Sequence, residues 1–388
     1  MKQNKKPLII TMLLVSLFQM GMVALSPVVA SITTAFPGAS QTVAQLAMTF
    51  LCLVLVVFAL FSGAIAQRFG RRFMCAAGML LCIVAGLCGT FLTVGLWTVY
   101  LWSAFLGAGT GLFVPAVSSM MIDYLEDDER GKVAGIQTAF VNLGGMLLSF
   151  FSGILAAQRW CNAYLVFLAA APVLVLSLKC IPAEPSRPRA SADASTQQKQ
   201  KIPAAVCLAA LQTFLFAILY FAFSTNVSLL ISERALGGTS LSGTATSVFM
   251  LGGCLFGFIF NKVMRACKGA TPSVAFLLVA ASYLLIYFID SVGALMVGAF
   301  IGGGSLSLIF PYFLIAIAGK VDASVSVISS SMILSVGPNI GSFVSPMILT
   351  NLSGVIFGSA VSSRFLLAAI AAIVIAVLLL LLQLRKKG

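Results

Sequence analysis

No charged side chain occurs between Leu8 and Ala66. A membrane-spanning helix needs roughly 20 mainly apolar residues, so this run alone is long enough for two. A water-soluble domain carries about 25% charged residues to cover its surface. Here 9% of the 388 residues are charged and 60% are hydrophobic. The chain therefore reads as an integral membrane protein. Its start, MKQNKK followed by LIITMLLVSLF, has the outline of a secretory signal, with small residues at Val28–Ala30. The apolar run continues past the length of such a signal, which predicts an uncleaved first helix.

Twelve apolar spans follow in order. The first six are about Leu8–Ala30, Val43–Ala66, Phe73–Leu92, Trp97–Leu125, Val133–Ala157 and Ala163–Ile181. The second six are about Ile202–Ser232, Ser242–Val263, Thr271–Ile289, Ala294–Gly319, Ser326–Thr350 and Phe365–Leu384. They are continuously apolar, not alternating, which predicts helices and not a barrel. With both termini in the cytoplasm, only Arg159, Arg234 and Arg364 of the 23 Lys and Arg residues fall on the far side. That asymmetry supports an even helix count and assigns the net charge of +13 to orientation in a cell membrane. Nucleic acid is not expected as a partner, because no basic cluster lies in a soluble module with interleaved aromatics.

The Pro-, Ser- and Gln-rich stretch 182–201 cannot bury a core and reads as a connector. It divides the chain into 1–181 and 202–388. The two parts share patterns. Gly63, Gln67 and Arg68 recur as Gly257, Asn261 and Lys262, 194 residues on. Gly107 with Pro115 recurs as Gly303 with Pro311 at an offset of 196, and Asn142-Leu-Gly144 as Asn339-Ile-Gly341 at 197. A near-constant offset predicts two six-helix repeats, an arrangement common in secondary transporters with a site between the halves.

Between the second and third spans, Gly63-x3-Gln67-Arg68-x-Gly70-Arg71-Arg72 resembles the signature loop of the major facilitator superfamily. That loop reads G-x3-D-R-x-G-R followed by Lys or Arg, so Gln67 stands where an aspartate is usual. Glu129-Arg130-Gly131 resembles the family's second cytoplasmic loop. The resemblance covers the whole chain. It implies an all-α membrane protein of twelve transmembrane helices in two pseudo-symmetric six-helix bundles, working by alternating access. It also implies that Arg71 or Arg72 pairs with Asp123 at the end of the fourth span, a contact that holds the outward-open form. Two drug-antiporter patterns are degraded. Ser103 replaces an arginine upstream of the Gly107 cluster, and Leu148-Ser149 replaces Gly-Pro in the fifth span.

Side chains that cost free energy in lipid should face a cavity or another helix. These are Gln19, Ser103, Gln137, Asn142, Gln212, Tyr220, Asn226, Ser305, Tyr312, Ser335 and Asn339. Gln19, Ser103, Asn142, Gln212, Tyr220, Asn226, Ser305 and Asn339 are the substrate-cavity candidates. The competing reading is that each amide joins neighbouring helices, worth about 0.6 kcal/mol. The Gly107-x-Gly109-x-Gly111 cluster lies inside a span and follows no strand, which predicts helix packing, not a nucleotide loop.

No catalytic group, metal or cofactor is expected. The chain has no His, and its nine cysteines are scattered without a CxxC. All ten acids lie at span ends or in loops: Asp123, the 126–129 run, Glu184, Asp193, Glu233, Asp290 and Asp322. The spans are expected to bury no Arg or Lys either. This pattern predicts transport of a small neutral or lipophilic compound, with export favoured over uptake of a neutral metabolite. Any proton coupling would run through a peripheral group such as Asp123. A monomer in contact with membrane lipid is expected, and a polytopic enzyme is disfavoured.

Overall fold

The computed structural model describes residues 5–182, 204–318 and 332–385. Glu184, Asp193, Asp322, the connector beyond residue 182 and the start of the eleventh span at Ser326 lie outside the described residues. Among the described residues the chain is helical, with no strand. That follows from a solvent that cannot satisfy backbone polar groups, so each segment must bond within itself.

The first span, Lys6–Ala35, is helical in three pieces: α1 (Lys6–Ser16), a 3-10 stretch (Gly21–Val28) and α2 (Val29–Ala35). Pro27 lacks the N–H that would bond back along the chain, which leaves a carbonyl near residues 23 and 24 without its helical donor. Two serines of α5 (Asp127–Leu155) meet this need. Ser149 Oγ donates to the Val23 carbonyl at 3.2 Å, and Ser152 Oγ to that of Ala24 at 2.5 Å.

The helix α3 (Gln41–Phe91) is 51 residues long. At 1.5 Å per residue it measures about 75 Å, more than twice the hydrocarbon thickness of about 30 Å. It is broken at Gly70, whose φ of 78° and ψ of 163° only glycine adopts freely. The opposite half repeats this plan. The 50-residue stretch Thr239–Phe288 is interrupted at Lys268, φ 49°, between α8 (Thr239–Cys267) and α9 (Thr271–Phe288). Among the described residues ten stretches are long and apolar enough to cross a membrane, and these two are each long enough for a double pass.

The remaining helices are α4 (Leu96–Tyr124), α6 (Ala170–Cys180) after a 3-10 stretch (Trp160–Ala169), and α7 (Ala204–Glu233). Then come α10 (Val292–Gly304), α11 (Leu306–Ala318), a π turn (Met332–Val336), α12 (Gly337–Ile356) and α13 (Val361–Arg385). The chain forms two compact units: Met1–Leu25 with Ala47–Lys199, and Ser26–Leu46 with Gln200–Gly388. Residues 26–46 thus group with the second unit although they precede the connector.

Glycines set the helix crossings, since association in lipid depends on close backbone approach. In the first unit a Cβ at Gly107 of α4 would collide with the Leu51 carbonyl of α3, and one at Gly144 of α5 with the Leu17 carbonyl. In the second, Gly303 of α10 meets the Phe249 carbonyl of α8, and Gly341 of α12 the Phe214 carbonyl of α7. The repeats read from the sequence therefore occupy matching crossings. Gly109 and Gly111 likewise abut the Gly78 and Leu55 carbonyls, so this cluster packs helices.

Candidate functional site

The turn at Gly70 directs the next residue, Arg71, toward the end of α4. Its Nη1 donates to Asp123 Oδ2 at 2.5 Å, and its guanidinium lies 5.1 Å from the Tyr124 ring centroid. Asp123 is more than half exposed, so the pair contributes about 0–1 kcal/mol, a bond weak enough to open and close. Arg130 secures the same corner. Its Nη2 donates to the Ile122 and Leu125 carbonyls at 2.9 and 3.2 Å, capping the end of α4. Lys5 and Glu129 pair at 3.2 Å. Of the signature loop, Gly63 makes no close helix approach, because nothing lies within 4 Å of a Cβ built there. Gln67 is exposed, and Arg68 lies 5.3 Å from the Phe69 ring centroid.

The polar residues of the first unit divide into those with partners and those without. Ser103 is fully buried beside Tyr164. Gln137 Nε2 donates to Ser16 Oγ at 3.0 Å, and Asn142 Nδ2 to the Thr138 carbonyl at 3.0 Å. The Oδ1 atom of Asn142 is buried without a partner among the described residues. Gln19 lies in the turn between α1 and the 3-10 stretch, half-buried.

In the second unit several candidates are turned toward their own helix. Ser305 Oγ donates to the Gly302 carbonyl, Asn339 Nδ2 to Ser335 and Ser342 Oγ to Pro338, at 2.6, 2.8 and 2.8 Å. The Tyr312 hydroxyl reaches only the Gly269 carbonyl, at 3.5 Å. Tyr220 packs between Phe216 and Phe249, 5.5 and 4.7 Å away between centroids. Its hydroxyl is buried without a partner among the described residues. Gln212 is half-buried.

Asn226 belongs to a larger group. Its Oδ1 accepts from Gln45 Nε2 at 2.8 Å and from Arg364 Nη1 at 2.9 Å. Gln45 is fully buried; its Nε2 also donates to the Thr225 carbonyl at 2.8 Å, and its Oε1 accepts from Thr350 Oγ1 at 3.0 Å. Arg364 Nη2 donates to Gln41 Oε1.

Arg364 corrects the expectation that no Arg or Lys is buried. It is 3% exposed, the one buried charged side chain among the described residues. The reason is local. The apolar run begins at Phe365, which placed Arg364 outside the span, but α13 starts at Val361, where Glu233 Oε2 accepts from the backbone N–H at 2.6 Å. Capped in this way, the helix carries Arg364 inward in its first turn. Gln41, Gln45 and Thr350 were also missed. The glutamines at i and i+4 in an otherwise apolar run were the available signal.

A chain that is helical throughout its described residues, with ten stretches there long and apolar enough to cross a membrane, grouped in two units of repeated crossings and carrying an Arg-Gly turn paired to the fourth span, is a multi-pass membrane protein. The family model of the Major Facilitator Superfamily matches residues 11–333. The chain belongs to that superfamily. No curated protein matches it. Among solved structures it is similar to a peptide transporter, POT, in complex with alafosfalin. That likeness has 15% identity and a TM-score of 0.77, over 97% of this chain and 94% of that one. It is also similar to the nucleoside transporter NupG, at 10% identity and a TM-score of 0.78, over 96% and 98%. A third is a POT family transporter in complex with 5-aminolevulinic acid, at 15% identity and a TM-score of 0.75, over 98% and 96%. At these identities the likeness is one of fold.

Proposed function

We propose that this protein is a secondary active transporter that moves a small neutral or lipophilic compound across the cell membrane by alternating access, with export favoured and both termini in the cytoplasm. Family membership supports the transport class. The observation that carries the mechanism is the Arg71–Asp123 pair, a weak, exposed contact spanning a glycine-hinged turn. Such a contact can act as a latch because its rupture costs little. The cavity candidates offer amides, hydroxyls and aromatic faces, and the one buried cation among the described residues is already engaged by Gln41 and Asn226. A pocket of that kind suits an apolar body with few polar groups.

Expression in a susceptible host, with a compound panel tested for both resistance and accumulation, separates export from uptake. Proteoliposome flux with and without an imposed pH gradient tests coupling. Gradient-driven accumulation that survives Asp123→Asn would exclude Asp123 as the coupling group, and tight binding of a multivalent anion would exclude a neutral substrate. Chemical alteration of the transported compound would place the protein outside this reading.

A further inference from the structure

We propose that Gln41, Gln45, Asn226, Thr350 and Arg364 form a clasp that holds residues 26–46 against α7, α12 and α13 and sets how readily that end of the protein opens. This rests on the alternating-access reading but not on any particular substrate.

The clasp differs from the signature-loop latch in burial and in charge. Gln45, Asn226 and Arg364 are at most 3% exposed. Both N–H groups and the carbonyl oxygen of the Gln45 amide are engaged, by Thr225, Asn226 and Thr350. Asn226 is equally committed, since its Nδ2 donates to the Ala222 carbonyl at 2.9 Å and to Thr225 Oγ1 at 3.0 Å. Within the clasp only Nε of Arg364 is buried without a partner among the described residues, and a network so nearly satisfied is costly to leave half-made. Drawing residues 26–46 away would strand Gln45 and one arm of Arg364 together, so opening is cooperative.

The other limb of the same segment is tied down as well. Ser26 Oγ donates to the Ser224 carbonyl at 2.5 Å, and Ser228 Oγ to that of Pro27 at 2.8 Å.

The charge pattern makes the clasp reversible. The contacts of the Arg364 guanidinium are amide oxygens, and among the described residues it has no carboxylate within 4.0 Å. The Glu233 carboxylate, which caps α13, compensates its charge from further away. A hydrogen bond from a charged group to an amide is easier to break than a buried ion pair, which leaves an uncompensated charge behind. Amide partners therefore give a closure firm enough to populate and weak enough to release. This assigns Asn226 to the clasp, not to the substrate cavity.

The test uses the full chain in lipid nanodiscs, with Ser224→Cys as reporter and maleimide labelling followed by peptide mass spectrometry. Ser224 is fully buried behind the Ser26 contact, and the native Cys75 and Cys82, both buried, report unfolding. Gln41→Leu and Gln45→Leu should each speed labelling of the reporter about tenfold or more, with Cys75 and Cys82 unchanged. Gln41→Glu adds the carboxylate that the clasp lacks and should slow labelling about tenfold. A reporter rate that stays the same in Gln41→Leu overturns the proposal. So does a rise shared by Cys75 and Cys82, which would make these residues supports of the fold. No substrate enters the measurement, so a failed transport assay leaves the result intact.

Discussion

The two halves of the chain agree where backbone meets backbone and differ where side chains meet. Gly107 and Gly303 sit at one pair of equivalent crossings, and Gly144 and Gly341 at another, each with a carbonyl where a Cβ would go. Asn142 and Asn339, two residues before the second pair, both bond the carbonyl four residues back. The charges follow no such symmetry. The first half pairs Arg71 with Asp123 beside its central turn, whereas Arg265 in the counterpart position has no acidic partner among the described residues. The buried charge of the second unit is Arg364, at the end that the proposed orientation places outside. A crossing tolerates no added atom, so its glycines are fixed by geometry in both halves. Polar contacts of one or two kcal/mol can be gained at either end, and there the halves have diverged.

The largest effects should come from the crossings. Gly107→Ala and Gly303→Ala each force a methyl onto a backbone carbonyl, at a cost of about 1–3 kcal/mol. Both should lower the thermal midpoint of the purified protein by similar amounts. Gly63→Ala and Gly257→Ala are the matched controls, because a Cβ there has open space or only the Ser307 hydroxyl at 4.0 Å. They should leave the midpoint unchanged or raise it, since alanine favours a helix over glycine by up to about 1 kcal/mol. If only one half is sensitive, the equivalence of the crossings fails.

A smaller effect is expected at the signature loop. Asp123→Asn should slow transport about two- to fivefold with membrane insertion intact, as befits an exposed pair of 0–1 kcal/mol. Exchanging the charges, with Arg71→Asp and Asp123→Arg together, should restore part of the rate. Arg265→Gln should have no effect on flux. Normal flux in Asp123→Asn would reduce the loop to a topological anchor, and a defect in Arg265→Gln would show that the second half carries a latch of its own.

The helical fold, the repeat and the partner of Arg71 were legible in the sequence because each rests on local pattern or chain order. Charge-free length gives the spans, and an offset of nearly 200 residues gives the repeat. Arg364 was not legible for the same reason. Hydropathy weighs a residue by its neighbours, and Ser362, Ser363 and Gly358 made the segment before Phe365 look aqueous. What buries it is a cap from Glu233 and two amides far away in sequence, Gln41 and Asn226. The pauses in helical geometry at residues 17–20 and 332–336 were also invisible, since neither contains a proline.

The smallest and most selective effects should come from two amides that the structure leaves without partners. Gln19 and Gln212 stand 193 residues apart, close to the repeat offset, one in each unit. Both are half-buried, and among the described residues neither side chain makes a hydrogen bond. Gln137 and Asn226, by contrast, are bonded to other side chains. An amide held at membrane depth without a partner loses at least one hydrogen bond that water or a ligand would supply, worth about 0.5–1.5 kcal/mol. Gln19→Leu and Gln212→Leu should therefore leave expression and the thermal midpoint within error. They should shift apparent substrate affinity about two- to tenfold, by the same energy. The two variants need not shift the same substrates, because nothing requires a substrate to address both halves alike. Loss of folded protein in either variant would make that residue helix glue and remove it from the cavity. Equal insensitivity of transport in both would move the substrate site to other side chains, with Tyr220 and its unpartnered hydroxyl the next to test.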